Sequence, residues 1–158
     1  MVNACVEIET TRDIARQILR HRSFSFQEFS QRYAEASMFE EGETRLQDTK
    51  NRQNSLLNED RELDHLWQNK QKQVIMAATE AYKWALENNI AKEVARKVLP
   101  EGNTMSRMYM NGSVRSWLHY LDVRLDPSTQ KEHREVAQQI KVALEGPFPN
   151  LMEYVNGH

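Results

Sequence analysis

Cysteine is nearly absent from this chain: Cys5 stands alone among 158 residues, so no internal disulfide can form. Glycine and proline together number nine, too few to interrupt the chain often, which leaves room for long helices. No apolar run exceeds five residues, Val74 to Ala78, far short of a helical membrane span. Met1-Val2-Asn3-Ala4 does not read as the basic, then apolar, start of a secretion signal. Charge of one sign is also missing. Lys and Arg number 21 against 23 Asp and Glu, a formal net charge of −2, without the basic excess expected of a nucleic-acid binder. No phosphate-loop or dinucleotide-binding glycine pattern occurs. The five histidines (His21, His65, His119, His133 and His158) never fall three or four apart, as a helical metal pair requires. These absences lead us to expect a cytoplasmic protein with no membrane, nucleic-acid or metal partner.

What is present is the material of a folded domain. Hydrophobic residues make up 39% of the chain and aromatics 8%, which excludes a disordered polypeptide. Val2, Ala4, Val6 and Ile8 alternate with Asn3, Cys5, Glu7 and Glu9, the period of a half-buried strand. Cys5 has no adjacent base and reads as a buried structural thiol. Spacing predicts a helix over 10–22, started by Thr10 and Asp13, with Ile14, Ala15, Ile18 and Leu19 on one face. Phe24 to Tyr33 reads as extended, and 38–60 as a long polar loop. Leu63, Leu66, Trp67, Val74, Ala77, Ala78, Ala81 and Ala85 step at helical spacing towards Asn88-Asn89. Shorter helices are predicted through 94–99, stopped by Pro100, then over 113–124 and 128–144. The expected fold is α+β: one mostly helical domain over residues 1–158 with a small, mainly antiparallel sheet.

Arginine is unevenly placed. Between residues 10 and 33, Arg12, Arg16, Arg20, Arg22 and Arg32 face only Asp13 and Glu28. Guanidinium groups suit bidentate recognition of phosphate and carboxylate. Two readings stand for Arg20-His21-Arg22: complements to a helix C-terminus, or ligands for an anion. On a regular helix Gln17, Arg20 and His21 share one face, whereas Arg22 projects into the apolar one, where an unpaired charge is costly. Further on, Arg115 and His119 share a face and Arg124 lies nearly opposite. That helix either serves two sites or carries solvated polar residues around Trp117, Leu118 and Leu121.

Arg20-His21-Arg22, followed after seven residues by Ser30, resembles the signature of the flavin-dependent thymidylate synthases. The longer string RHRSFSFQEFSQRYAE, the segment ARKVLP at 95–100, VRSWLHYLDVR at 114–124 and Gln130-Lys131-Glu132-His133 resemble further blocks of that family, in order. Gln27, Ser113 and His119 stand where the family usually has Asn.

The resemblance implies the thymidylate synthase-complementing protein fold and reductive methylation of deoxyuridylate (dUMP). Methylenetetrahydrofolate would give the carbon, and NADPH would reduce the FAD that gives hydride. It implies that Gln17, Ile18, Leu19 and Arg20 line the dUMP site. Arg20, His21 and Arg22 would contact flavin. Glu28, Phe29, Ser30, Gln31 and Arg32 would face the nucleotide, with Ser30 and Arg32 at its phosphate and Glu28 also near flavin. Arg96 would be a further phosphate ligand. Ser113, Val114, Arg115 and His119 would form a second flavin block. Arg124 would stabilise the ionised uracil ring, as the catalytic residue. A homotetramer with sites shared between subunits is implied too. Family members carry several dozen residues before this motif, and only 19 precede Arg20 here, so an N-terminally shortened version with weak flavin binding is expected. The alternative is a nucleotide-binding fragment of the family with impaired catalysis.

Overall fold

Nine alternating residues at the start form the first strand, and the chain then passes through helices and strands in mixed order. The computed structural model describes residues 2–29, 39–150 and 153. The order is β1 (Asn3–Thr11), α1 (Arg12–Ile18), β2 (Ser25–Glu28), β3 (Arg45–Gln47), β4 (Ser55–Leu57) and α2 (Arg61–Glu87). There follow α3 (Lys92–Ala95), a 3-10 turn (Arg96–Val98), β5 (Met105–Ser113), α4 (Val114–Arg124) and α5 (Lys131–Glu145). The fold is α+β, as expected. One sheet has the order β1-β5-β2, and the other pairs β3 with β4. β2 lies antiparallel to β5, with Phe26 opposite Met110 and Glu28 opposite Met108. β1 also runs against β5: the Val114 N–H donates to the Val2 carbonyl at 3.1 Å, and Arg107 Nε donates to Glu9 at 2.7 Å.

The backbone divides into two compact units, Met1–Thr10, Ile14–Glu28 and Arg107–His158 in one, and Thr11–Asp13 with Phe29–Ser106 in the other. In the first, the inward face of β1 and β5 (Ile8, Met108, Met110) packs with Ile14 and Ile18 of α1, Trp117, Tyr120 and Leu121 of α4, and Ala137, Ile140 and Leu144 of α5. Trp117 finds a partner for its indole N–H in the Ala4 carbonyl at 3.1 Å, as a buried Trp requires.

The second unit is organised around α2. Asp60 caps it, its carboxylate accepting from the N–H groups of Glu62 (2.9 Å) and Leu63 (3.1 Å). Asn89, at φ 58°, ends it in the left-handed conformation that Asn tolerates best after Gly. The buried stripe is Gln71, Ala78, Tyr82 and Ala85. Gln71 clamps the chain at Gly42, accepting from its N–H at 2.7 Å and donating to its carbonyl at 2.9 Å. Leu66, Trp67, Val74, Met76 and Trp84 of the same helix are exposed.

Four expectations are corrected, and one strand, β5, goes beyond them. Cys5 is exposed, because strand parity places it on the face opposite Ile8. Helix α1 begins at Arg12 and ends at Ile18, since β1 continues through Thr11 and the last turn tightens. The 38–60 loop contains the β3–β4 hairpin. Its turn is held by the Asp48 carboxylate, which accepts from the N–H groups of Lys50 and Asn51 and from the Asn54 side chain. The central strand β5 has no β-branched inward residues to announce it: Ser106, Met108, Met110 and Gly112 face in. Helix α5 starts at Lys131, three residues after the predicted Ser128, because Ser128 is tied to Asp126 through both its N–H and its hydroxyl.

Candidate active site

The Arg20-His21-Arg22 motif lies beyond the helix rather than on it. Leu19 N–H still reaches Ala15 four residues back, but Arg20, His21 and Phe24 N–H groups reach only three back, to Gln17, Ile18 and His21. The tightened turn leaves Arg20 and Arg22 exposed and His21 half-buried. Arg22 therefore does not enter the apolar face and has no buried charge for an anion to offset. The turn then delivers Phe24 to the sheet. Its ring sits 4.7 Å from that of Trp117 and 5.9 Å from that of Tyr120. It also lies over Gly112, where a Cβ would come within 2.4 Å of the ring. Gly112 is thus the residue that lets Phe24 anchor the motif to β5.

His21 is met from the end of α4. Arg124 Nε donates to His21 Nε2 at 3.0 Å. A guanidinium only donates, so His21 accepts at Nε2 and carries its proton on Nδ1. Burial and the neighbouring Arg124 charge lower the pKa of His21, which keeps it neutral. The bond uses Nε and leaves the paired terminal amino groups of Arg124 for another partner. The ring of His21 stands edge-on to Tyr120, centroids 4.9 Å apart. Behind it Tyr120 and His133 share a hydrogen bond of 3.1 Å. Burial holds the Tyr120 phenol above its usual range. Burial, then Arg124 and His21, push the His133 pKa down to about 4.

Of the remaining expected residues in this unit, Gln17 engages both ends of its amide internally, with Gln130 at 2.8 Å and His133 at 3.4 Å. Ile18 is wholly buried core and Leu19 packs against that core. Ser113 caps α4, accepting from the Ser116 N–H at 3.2 Å. Val114 is half-buried, while Arg115 and His119 are exposed on α4. Glu28 closes β2, half-buried. Phe29 and Arg96 belong to the second unit, Arg96 half-buried in the 3-10 turn. Ser30, Gln31 and Arg32 lie outside the described residues. Among the described residues, Arg20, Arg22 and Arg115 have no carboxylate partner. That donor set fits a polyanionic ligand.

The sequence profile of the thymidylate synthase complementing protein family matches residues 1–150. The chain belongs to that family. Over 151 residues it is 52% identical to a flavin-dependent thymidylate synthase of Synechocystis sp., covering 96% of this chain and 70% of that one. It is 44% identical over 149 residues to a probable flavin-dependent thymidylate synthase of Paramecium bursaria Chlorella virus 1, covering 92% and 68% respectively. Among solved structures, the UMP/dUMP methylase PolB of Streptomyces cacaoi, bound with 5-Br UMP, superposes with a TM-score of 0.85. It is 26% identical, over 96% of this chain and 73% of PolB.

In this family member, sequence reasoning assigned no role to Tyr120, His133, Gln130 or Phe24. A signal for Tyr120 was present, because it precedes Arg124 by four residues and must share its helix face. His133 gave none. A lone histidine in a polar helix becomes informative only when its burial is known.

Proposed function

We propose that this chain is a flavin-dependent thymidylate synthase, which replaces the C5 hydrogen of the dUMP ring by a methyl group. The observation that carries the reading is the Arg124–His21 bond, which joins two segments of the chain that resemble the family's blocks and holds a guanidinium by Nε with its terminal amino groups available. In this reading those groups face the uracil ring and stabilise the negative charge that must develop before C5 can accept a carbon. This is electrostatic catalysis by a preset donor. Arg20, Arg32 and Arg96 hold the substrate phosphate, with Gln17, Leu19, Phe29, Ser30 and Gln31 around the nucleotide.

Arg20, His21, Arg22, Glu28, Ser113, Val114, Arg115 and His119 would hold FAD. The unpaired guanidiniums of Arg20, Arg22 and Arg115 suit its diphosphate. When bound, FAD supplies hydride drawn from NADPH, while methylenetetrahydrofolate supplies the carbon. No protein thiol is needed, in keeping with a lone Cys5 on the outer face of β1. The exposed Leu66, Trp67, Val74, Met76 and Trp84 of α2 offer apolar side chains to another copy of the chain, in keeping with a homotetramer. No helix among the described residues is long and apolar enough to cross a membrane, which agrees with a cytoplasmic enzyme.

The test is conversion of dUMP to thymidylate with methylenetetrahydrofolate, NADPH and added FAD. Product that requires all three is the expected result. Flavin-loaded protein that forms none would refute the reading. Calorimetry should also show much weaker binding of deoxyuridine than of dUMP, and equal affinities would remove the arginines from the phosphate.

A further inference from the structure

We propose that Tyr120 and His133 are positioning residues, forming a buried bracket that fixes the ring of His21 and, through it, the guanidinium of Arg124. The proposal deepens the reading above and rests on it for the role of Arg124.

The polarity of the bracket can be traced donor by donor. The Glu132 carboxylate only accepts, so Gln130 must donate to it with Nε2, at 3.0 Å. Gln130 then presents Oε1, which accepts from Gln17 Nε2 at 2.8 Å. Gln17 in turn presents Oε1 to His133 Nδ1 at 3.4 Å, so His133 carries its proton on Nδ1. Its Nε2 is left as an acceptor, and Tyr120 O–H is the donor across the 3.1 Å bond. Each proton in the series has one place to go. His133 is wholly buried, and a second proton on it would turn Nε2 into a donor and force the Tyr120 hydroxyl to reverse its role from donor to acceptor, beside the charge of Arg124.

The bracket acts on His21 through its shape. The Tyr120 ring meets His21 edge-on at 4.9 Å, and the His133 ring lies 6.2 Å from it. Phe24 and Trp117 also pack edge-on against Tyr120, at 5.9 Å and 5.8 Å. His21 therefore has one ring orientation in which Nε2 accepts from Arg124. Without the Tyr120–His133 bond, the phenol and imidazole lose the contact that sets their relative angle. His21 can then rotate, and Arg124 loses the acceptor that directs its fork.

The experiment combines NMR of the histidine rings with a double-mutant cycle. In ¹⁵N-edited spectra the wild-type protein should show His21 with an unprotonated Nε2 and His133 protonated on Nδ1. Opposite tautomers would overturn the proposal without reference to activity. Tyr120→Phe keeps the ring and removes only the hydroxyl, and His133→Gln tests the other partner. Each should blur His21 into a mixture of tautomers and lower kcat roughly 10-fold, within the about 10²-fold that a small misplacement can cost, with little change in KM for dUMP. Introduced into Arg124→Ala, neither should lower kcat further. A wild-type kcat in Tyr120→Phe, or an equal loss in the Arg124→Ala background, would overturn the bracket. Wild-type protein with the stated tautomers but no thymidylate synthesis would instead count against the proposed function alone.

Discussion

The two compact units solve the burial problem differently. In the first, the largest side chains, Trp117 and Tyr120, are buried to within 2% of full coverage, and polar groups among them are paired in a fixed donor order. In the second, the long helix α2 buries Gln71, Ala78, Tyr82 and Ala85 but leaves Trp84 59% and Met76 71% exposed. One unit completes its core with its own side chains and places the motif residues on that rigid base. The other directs its large apolar groups outward, where only another surface can cover them. Precision is needed where charge must be met within a few tenths of an ångström. Outward apolar area is useful where copies must associate.

The largest effect is expected at Arg124. Arg124→Ala removes a charge-stabilising donor from the proposed site and should lower turnover roughly 10²–10³-fold, with thermal unfolding little changed because the side chain lies at a helix end. Saturating steady-state kinetics beside a melting curve would measure both. A wild-type turnover number would reduce this arginine to a surface residue.

Gly112→Ala attacks the base itself. The added Cβ would strike the Phe24 ring, which also packs against Trp117 and Tyr120, so overpacking should cost about 1–3 kcal/mol. Urea unfolding would read the loss. A full-stability variant would mean that Phe24 can move away, and that it does not anchor the motif.

Acid should loosen the first unit in a defined window. His133 titrates near 4 when folded and near 6.5 when unfolded, so the unfolded chain binds more protons between those values and stability falls as pH drops through them. His21, lowered in the same direction, adds to the slope. The midpoint of urea unfolding, followed from pH 7 to pH 4, should fall. In His133→Gln the decline should be shallower, and an identical slope would assign it to other groups.

The smallest effect on the single chain is expected on α2. Met76→Glu and Trp84→Glu each alter an exposed residue and should change folding stability by no more than about 0.5 kcal/mol. Sedimentation should nevertheless show a shift from the proposed homotetramer towards smaller species. An unchanged mass would remove α2 from the contacts of the proposed homotetramer.

Local periodicity by itself determined much of this protein. The strand at Val2–Glu9, helix α2 with its stop at Asn88-Asn89, helix α4 and the end of α5 at Gly146-Pro147 follow from spacing and from caps that act over a few residues. The family blocks, being strings of particular residues, were also legible, and with them the importance of Arg20-His21-Arg22 and Arg124.

Tertiary structure alone decided the rest. Whether α1 ran on to Arg22 depended on Phe24 reaching Gly112, 88 residues away in the chain. The strand Met105–Ser113 carries no strong local preference and exists because β1 and β2 flank it. The face of α2 that lies buried is set by Gly42 meeting Gln71. His133 became part of the site because burial, which no residue type announces by itself, placed it against Tyr120. Long-range packing fixes such features, because each depends on partners that the local sequence does not contain.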